Sequence, residues 1–444
     1  MTDYAARRAR LAAQMQPGAV AVLATAPEVV RNADSHYPYR HDSYFYYLTG
    51  FTEPEAVLVL VAASDVAAAR AILFCREKDR ERETWEGFRH GPKAAREAFG
   101  VDEAYPVDAL DVQLPRLLAN APALYYALAS NAALDAQVTR WIRTVRAQGR
   151  TGVTAPDSFH NLLPLIDEMR LVKDADEQAT MLRAADISGG AHARAMRVAR
   201  PGMFEYELEA ELLHAFRKHG AQSPAYASIV ASGPNACVLH YSANDRRMQD
   251  GELVLIDAGC ELDGYASDIT RTFPVNGRFS PAQRTLYDLV LAAQEAAFGA
   301  IRPGNPYSAF HDAALRVLVQ GMLDLGLVDR TKYKDVDAAI ANRAHVPFYM
   351  HGTGHWLGMD VHDVGAYRDV AAAYKPSRAL RPGMVVTVEP GIYVRPAEGV
   401  LERYWNIGIR IEDDVVVTDD GYRLLSASAP KTVAEIEALV GSAG

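Results

Sequence analysis

The sequence is poor in cysteine. Only Cys75, Cys237 and Cys260 occur in 444 residues, and no two form a Cys-x-x-Cys pair. An odd count at these spacings gives no disulfide framework, so a reducing, cytoplasmic setting is the simpler expectation. Long hydrophobic runs are also missing. The longest, Ala56 to Ala63, has the length of a strand and falls far short of the roughly 20 residues that span a bilayer. No apolar stretch follows the early arginines Arg7, Arg8 and Arg10, so the start of the chain does not read as a secretory signal. Basic excess is absent, because 46 Lys and Arg face 56 Asp and Glu, a net charge of −10. That balance disfavours nucleic acid and anionic membranes as partners. Several catalytic signatures are lacking as well: there is no His-Glu-x-x-His, no Gly-x-Ser-x-Gly and no Walker loop.

Hydrophobic residues make up 49% of the chain and charged residues 23%, which is the composition of a globular protein. The length predicts two domains. In the first part, helical spacing over 3–16 and 134–145 alternates with apolar strand signals at 19–23, 57–61 and 71–74. This is an α/β pattern. A charged stretch, Arg76 to Glu83, ends in Thr84-Trp85. Gly and Pro gather between Gly152 and Pro164, and acids then open a helical pattern at Asp174. We therefore place one domain over 1–172 and a second over 173–444. The second is read with further helices near 205–219 and 281–300 and with strands between them.

Within the second domain stands His351-Gly-Thr-Gly-His355-Trp-Leu-Gly-Met-Asp-Val-His362-Asp363, with three of the thirteen histidines in twelve residues. On a helix, His351 and His355 would form a metal pair. Each interleaved glycine costs a helix about 1 kcal/mol, so an irregular segment that closely approaches a ligand is expected instead. Acids also end or begin apolar strands: Leu253-Val-Leu-Ile-Asp257, Ser267-Asp268-Ile-Thr-Arg-Thr, Val385-Val-Thr-Val-Glu389 and Ile407-Gly-Ile-Arg410-Ile-Glu412. The eleven-position step from Asp257 to Asp268 fits adjacent strands of one hairpin with both carboxylates on one face. The segment from Ile407 through Val415 is read as a single last strand. An acid inside such a run is costly unless it is paired or binds a metal. Asp257, Asp268, His355, Glu389 and Glu412 thus form an oxygen-rich ligand set. Four carboxylates balance two divalent ions, with Mn²⁺ favoured and Co²⁺, Fe²⁺ or Zn²⁺ as substitutes. Two such ions lower the pKa of a bridging water and polarise a carbonyl, so the chemistry is metal-assisted hydrolysis.

The pattern resembles the pita-bread metallopeptidases, which include methionine aminopeptidase, Xaa-Pro aminopeptidase (aminopeptidase P) and Xaa-Pro dipeptidase. The resemblance rests on Asp257-Ala-Gly, Ser267-Asp268-Ile-Thr-Arg-Thr, His351-Gly-Thr-Gly-His355, Val361-His362-Asp363, Val388-Glu389-Pro-Gly and Arg410-Ile-Glu412. Asp42 to Phe51 and Thr84-Trp85-Glu-Gly in the first domain are similar to aminopeptidase P. The resemblance implies an α/β N-terminal domain and an α+β pita-bread catalytic domain. It implies a metallo-exopeptidase that releases the first residue from peptides with proline second, with the dipeptidase, and after it a non-catalytic binding protein on the same fold, as alternatives. Glu389 would shuttle protons, and His240 and His362 would hold substrate carbonyls and the developing oxyanion. His351 would face the proline side, and Arg410 would orient its neighbour Glu412. Tyr226, Tyr393 and Arg378 would contact substrate. Trp85 would reach the active site of a neighbouring subunit in a homodimer or homotetramer.

Overall fold

The computed structural model describes residues 2–442. It divides into two compact units, Met1–Arg170 and Leu171–Gly444. The first is built on a mixed six-stranded sheet. Its strand order is Glu103–Pro106, Arg70–Cys75, Val57–Val61, Val20–Ala24, Ala123–Tyr126 and Ser158–His160. Successive strand side chains point to opposite faces. Val20 and Val22, Val57 and Val59, Ile72 and Phe74, and Leu124 and Tyr126 therefore share one face. That face is packed against Leu114 and Leu118 of the helix Leu110–Leu118 and against Val138, Trp141 and Val145 of Ala132–Arg146. The Asp42 to Phe51 motif forms a short helix, Ser43–Thr49. Asp42 caps its first turn, and Gly50 ends it in the left-handed region at φ 68°, where a glycine meets no steric penalty. The charged stretch becomes the helix Arg80–Glu86, capped by Asp79 and with no buried residue.

The second unit is α+β. Long helices Ala175–Val198, Glu205–Lys218, Pro281–Ala300 and Ser308–Asp324 pack around short antiparallel strands. Asp174 with Glu177, and Ser280 with Gln283, form capping boxes that satisfy backbone N–H groups at the helix starts. The helix Ser308–Asp324 has no counterpart in the sequence reading. It contains Gly321, against which Leu289 of the preceding helix packs so closely that a Cβ there would collide. The glycine that permits this approach also weakens the helical pattern.

Two expected strands are corrected. Leu253–Asp257 and Thr270–Pro274 do pair antiparallel, with Asp257 opposite Thr270. They are not one hairpin, however, because a small pair, Cys260–Leu262 with Tyr265–Ala266, is inserted between them. The segment 407–415 is two strands. Ile407–Arg410 pairs with Gly391–Val394, while Asp413–Val417 pairs with Val385–Val388. The chain changes partner at Ile411 and Glu412, and the Glu412 N–H crosses to the Thr270 carbonyl at 3.1 Å. Nor is 413–417 the last strand, since Tyr422–Leu424 adds to its edge.

Candidate metal centre and active site

These strand ends converge. Asp257 closes its strand, Asp268 lies two residues before the next, Glu389 follows Val385–Val388, and Glu412 sits at the switch. The Gly-Thr-Gly-His segment runs alongside the third of these. The Thr387 N–H donates to the His355 carbonyl at 3.0 Å, and the Glu389 N–H donates to the Thr353 carbonyl at 2.8 Å. A Cβ on Gly354 would strike the Thr387 carbonyl, so this close pairing requires glycine there. His355 and Glu389 are thereby brought to one cavity of about 540 Å³, which Asp257, Asp268 and Glu412 also line. Ligand atoms of Asp268, His355 and Glu412 lie within 4.8 Å of one another.

Four of the five donors, His355, Asp257, Asp268 and Glu412, are oriented by a neighbour. The His355 Nδ1–H donates to the Trp356 carbonyl at 3.0 Å. This turns Nε2 toward Asp268, at 3.4 Å, and Glu389, at 3.8 Å, the arrangement expected of a ligating imidazole. The Tyr226 hydroxyl lies 2.6 Å from Asp257 Oδ1 and 2.5 Å from Asp268 Oδ1. The Thr270 hydroxyl donates to Glu412 Oε2 at 2.6 Å. The Asp268 N–H reaches both oxygens of Asp414 at 3.2 Å.

Burial of these like charges shifts their protonation. Burial pushes Glu389 up to about 7, with Asp268 and Asp257 adding to the shift against His355 and Arg410. Glu412 is raised well above the usual carboxylate range by burial and by the charges of Asp268, Glu389 and Asp257. Burial also raises Asp268. For His355, burial acts downward, but the hydrogen bond and charge of Asp268 prevail and lift it to about 9. A cluster of mutually repelling acids is stable only when protonated or neutralised. Divalent cations supply that neutralisation, and hard oxygen donors with one imidazole can hold them.

Tyr226, His240, His351, His362 and Arg410 also line the cavity. His362 stands edge-on to His355, ring centroids 4.4 Å apart. His351 is already occupied on both nitrogens. Nδ1–H donates to the Gly352 carbonyl at 2.7 Å, and Nε2 pairs with the Tyr393 hydroxyl at 2.8 Å. Burial lowers its pKa to about 3, so the ring is neutral, and neither nitrogen is free. Tyr393 is fully buried behind it and does not line the cavity. Arg410 does not pair with Glu412. Its guanidinium donates to Asp257 Oδ2 at 2.5 Å and to the Tyr393 hydroxyl at 3.0 Å. The strand Ile407–Arg410 ends before Glu412, so the two residues no longer share a strand face. Arg378 does not line the cavity; its N–H pairs with the Tyr367 carbonyl at 2.9 Å. Trp85 is likewise absent from the lining and is 86% exposed. Thr270 and Asp414 escaped the sequence reading. The run Glu412-Asp413-Asp414 in an apolar context was the available signal for Asp414; an isolated threonine carries none.

Comparison with known proteins agrees with this architecture. Residues 179–419 match metallopeptidase family M24, and residues 4–125 match the aminopeptidase P N-terminal domain. The chain is 48% identical to an Escherichia coli Xaa-Pro aminopeptidase, covering 99% of this chain and 98% of the relative. A Haemophilus influenzae Xaa-Pro aminopeptidase is 44% identical, covering 99% and 97%. Among solved structures, the Pseudomonas aeruginosa aminopeptidase PepP superposes with a TM-score of 0.95 at 51% identity, covering 99% of this chain and 98% of that one. Zinc-substituted E. coli aminopeptidase P in complex with product gives 0.95 at 48% identity, covering 99% and 98%. With its catalytic pattern in the second unit and its N-terminal pattern in the first, the chain belongs to metallopeptidase family M24, in the aminopeptidase P branch with the pita-bread fold.

Proposed function

We propose that this protein is a metal-dependent exopeptidase that removes the first residue from peptides whose second residue is proline. The observation that carries the reading is the convergence of Asp257, Asp268, His355, Glu389 and Glu412 on one cavity that His240, His351 and His362 also line. The five would hold two divalent ions, with manganese favoured by the oxygen-rich set. When bound, such ions supply an activated hydroxide and polarise the scissile carbonyl.

The remaining work falls to side chains of this chain. Glu389 faces the cavity and shuttles the proton from the nucleophile to the leaving proline nitrogen. His240 and His362 make no hydrogen bond to other described residues and are available for substrate carbonyls and the oxyanion. His351 offers its ring face on the proline side, fixed by Tyr393. Arg410 holds Asp257, and Tyr226 spans Asp257 and Asp268. Proline lacks an N–H and fixes φ, so a site that recognises the ring and the free amino terminus selects it. The relatives named Xaa-Pro aminopeptidase, and the E. coli enzyme solved with product, support this substrate class. A cytoplasmic setting is supported by three buried, free cysteines; no helix among the described residues is long and apolar enough to cross a membrane. A homodimer or homotetramer is supported by the exposure of Trp85 and is checked by sedimentation of the wild type and of Trp85→Ala.

The test is direct. Purified protein loaded with Mn²⁺ is offered Xaa-Pro, Xaa-Pro-Yaa and Xaa-Ala-Yaa, and the products are identified. Release of Xaa from Xaa-Pro-Yaa, and not from Xaa-Ala-Yaa, is expected. Cleavage of only the dipeptide would make it a dipeptidase, and no cleavage would refute the enzyme.

A further inference from the structure

The substrate-facing His240 has no hydrogen-bond partner of its own among the described residues. It lies in the connection between the strands Ile229–Ser232 and Leu253–Asp257. One buried carboxylate gathers several donors of that connection. Glu205, the first residue of the helix Glu205–Lys218, is fully buried. Its Oε1 accepts from the Ser232 N–H at 2.7 Å, the Ser232 hydroxyl at 2.7 Å and the Asn235 amide at 3.2 Å. Its Oε2 accepts from the Tyr241 hydroxyl at 2.7 Å and the Arg246 N–H at 2.9 Å. These five donors run from the end of the first strand, Ser232, to Arg246 within the connection, and one belongs to the residue next to His240. Asn244 adds a second clamp, accepting from the Val230 N–H at 3.0 Å and donating to the Ser228 carbonyl at 2.9 Å. Only a group that accepts on both oxygens satisfies five donors, which a carboxylate does and a carboxamide does not.

We infer that Glu205 is a positioning residue for the reaction: through Tyr241 it fixes the 232–246 connection and so holds His240 against the substrate. The inference rests on the proposed peptidase activity. It assigns work to a residue that touches neither substrate nor metal ligand.

Glu205→Gln and Tyr241→Phe are made in the wild type and in His240→Ala. Hydrogen exchange of peptides from 233–246 is followed by mass spectrometry, and kcat and KM are measured on an Xaa-Pro-Yaa peptide. Faster exchange in 233–246 with bound metal unchanged is expected. A loss of roughly 10- to 100-fold in kcat/KM is expected in the wild-type background, the size of a charge-assisted hydrogen bond. The same changes should cost less than about twofold in His240→Ala, because coupled residues are non-additive. Should Glu205→Gln fail to fold, Tyr241→Phe, which removes one hydroxyl, decides alone. Unchanged exchange in 233–246, or an equal loss in both backgrounds, overturns the inference. The exchange measurement needs no turnover, so a wild type that cleaves nothing refutes the activity while the anchor is still judged.

Discussion

At the scale of the residue, the site consists of charges that oppose each other until a cation joins them. Asp268 lies within reach of His355, Tyr226 and Glu412. Asp268→Asn keeps the shape and removes one charge. It should stay folded and lose bound metal and activity, by more than the roughly 10–100-fold typical of residues that only orient a ligand. Metal analysis, circular dichroism and turnover check this, and full activity would mean the ligand assignment is wrong. Thr270→Val removes the hydroxyl on Glu412 and should fall within that 10–100-fold range. His355 gives a pH dependence. Its folded pKa, about 9, lies above the ordinary 6.5. A raised histidine stabilises fully below its unfolded pKa and loses that contribution as pH rises through the folded one. Metal-free protein should therefore melt at progressively lower temperature from about pH 7 to about pH 9. Metal-loaded protein should not, because the cation replaces the proton. Parallel melting curves for the two forms would refute this. Residue identities were legible in the sequence because acids in apolar runs are conspicuous; the partner of Arg410 was not, because a side chain's reach depends on where its strand stops.

At the scale of the element, short strands position the ligands and one buried ion pair ties their ends together. Arg271 and Asp413 are fully buried and 2.7 Å apart. Arg271 also donates to the carbonyls of Thr270, Glu412, Ala429 and Pro430 at 2.6–3.0 Å. It thus fastens the strand after Asp268 to the residue that presents Glu412. Removing one partner of a buried pair costs about 3–5 kcal/mol, so Arg271→Met should lose that much stability on chemical denaturation. The Gly-Thr-Gly-His segment is the second device. Gly354→Ala drives a methyl into the Thr387 carbonyl and should displace His355, lowering metal affinity with little change in secondary structure. Unaltered metal binding in that variant would show that the segment yields. The change of strand partner at Ile411 and Glu412 was not legible, because an unbroken apolar pattern reads the same whether one neighbour or two receive it.

At the scale of the whole molecule, every proposed ligand lies in the unit Leu171–Gly444. Ligand binding to the folded state alone stabilises by about 2.7 kcal/mol at 100 times Kd. Mn²⁺ should therefore raise the calorimetric transition of that unit and leave the transition of Met1–Arg170 in place. A uniform shift of both would show that metal acts on the two units together.

The sequence by itself determined the ligand chemistry, the α/β and α+β characters and the family. Each is carried by local pattern: side-chain periodicity, glycine at a close approach, acids bounding apolar strands. Only the tertiary structure decided which atoms meet. It set Arg410 on Asp257, Thr270 on Glu412 and Tyr241 on Glu205. Those pairs are 153, 142 and 36 residues apart in the chain. Contacts at such separations are fixed by the packing of helices against strand ends, which no local pattern encodes.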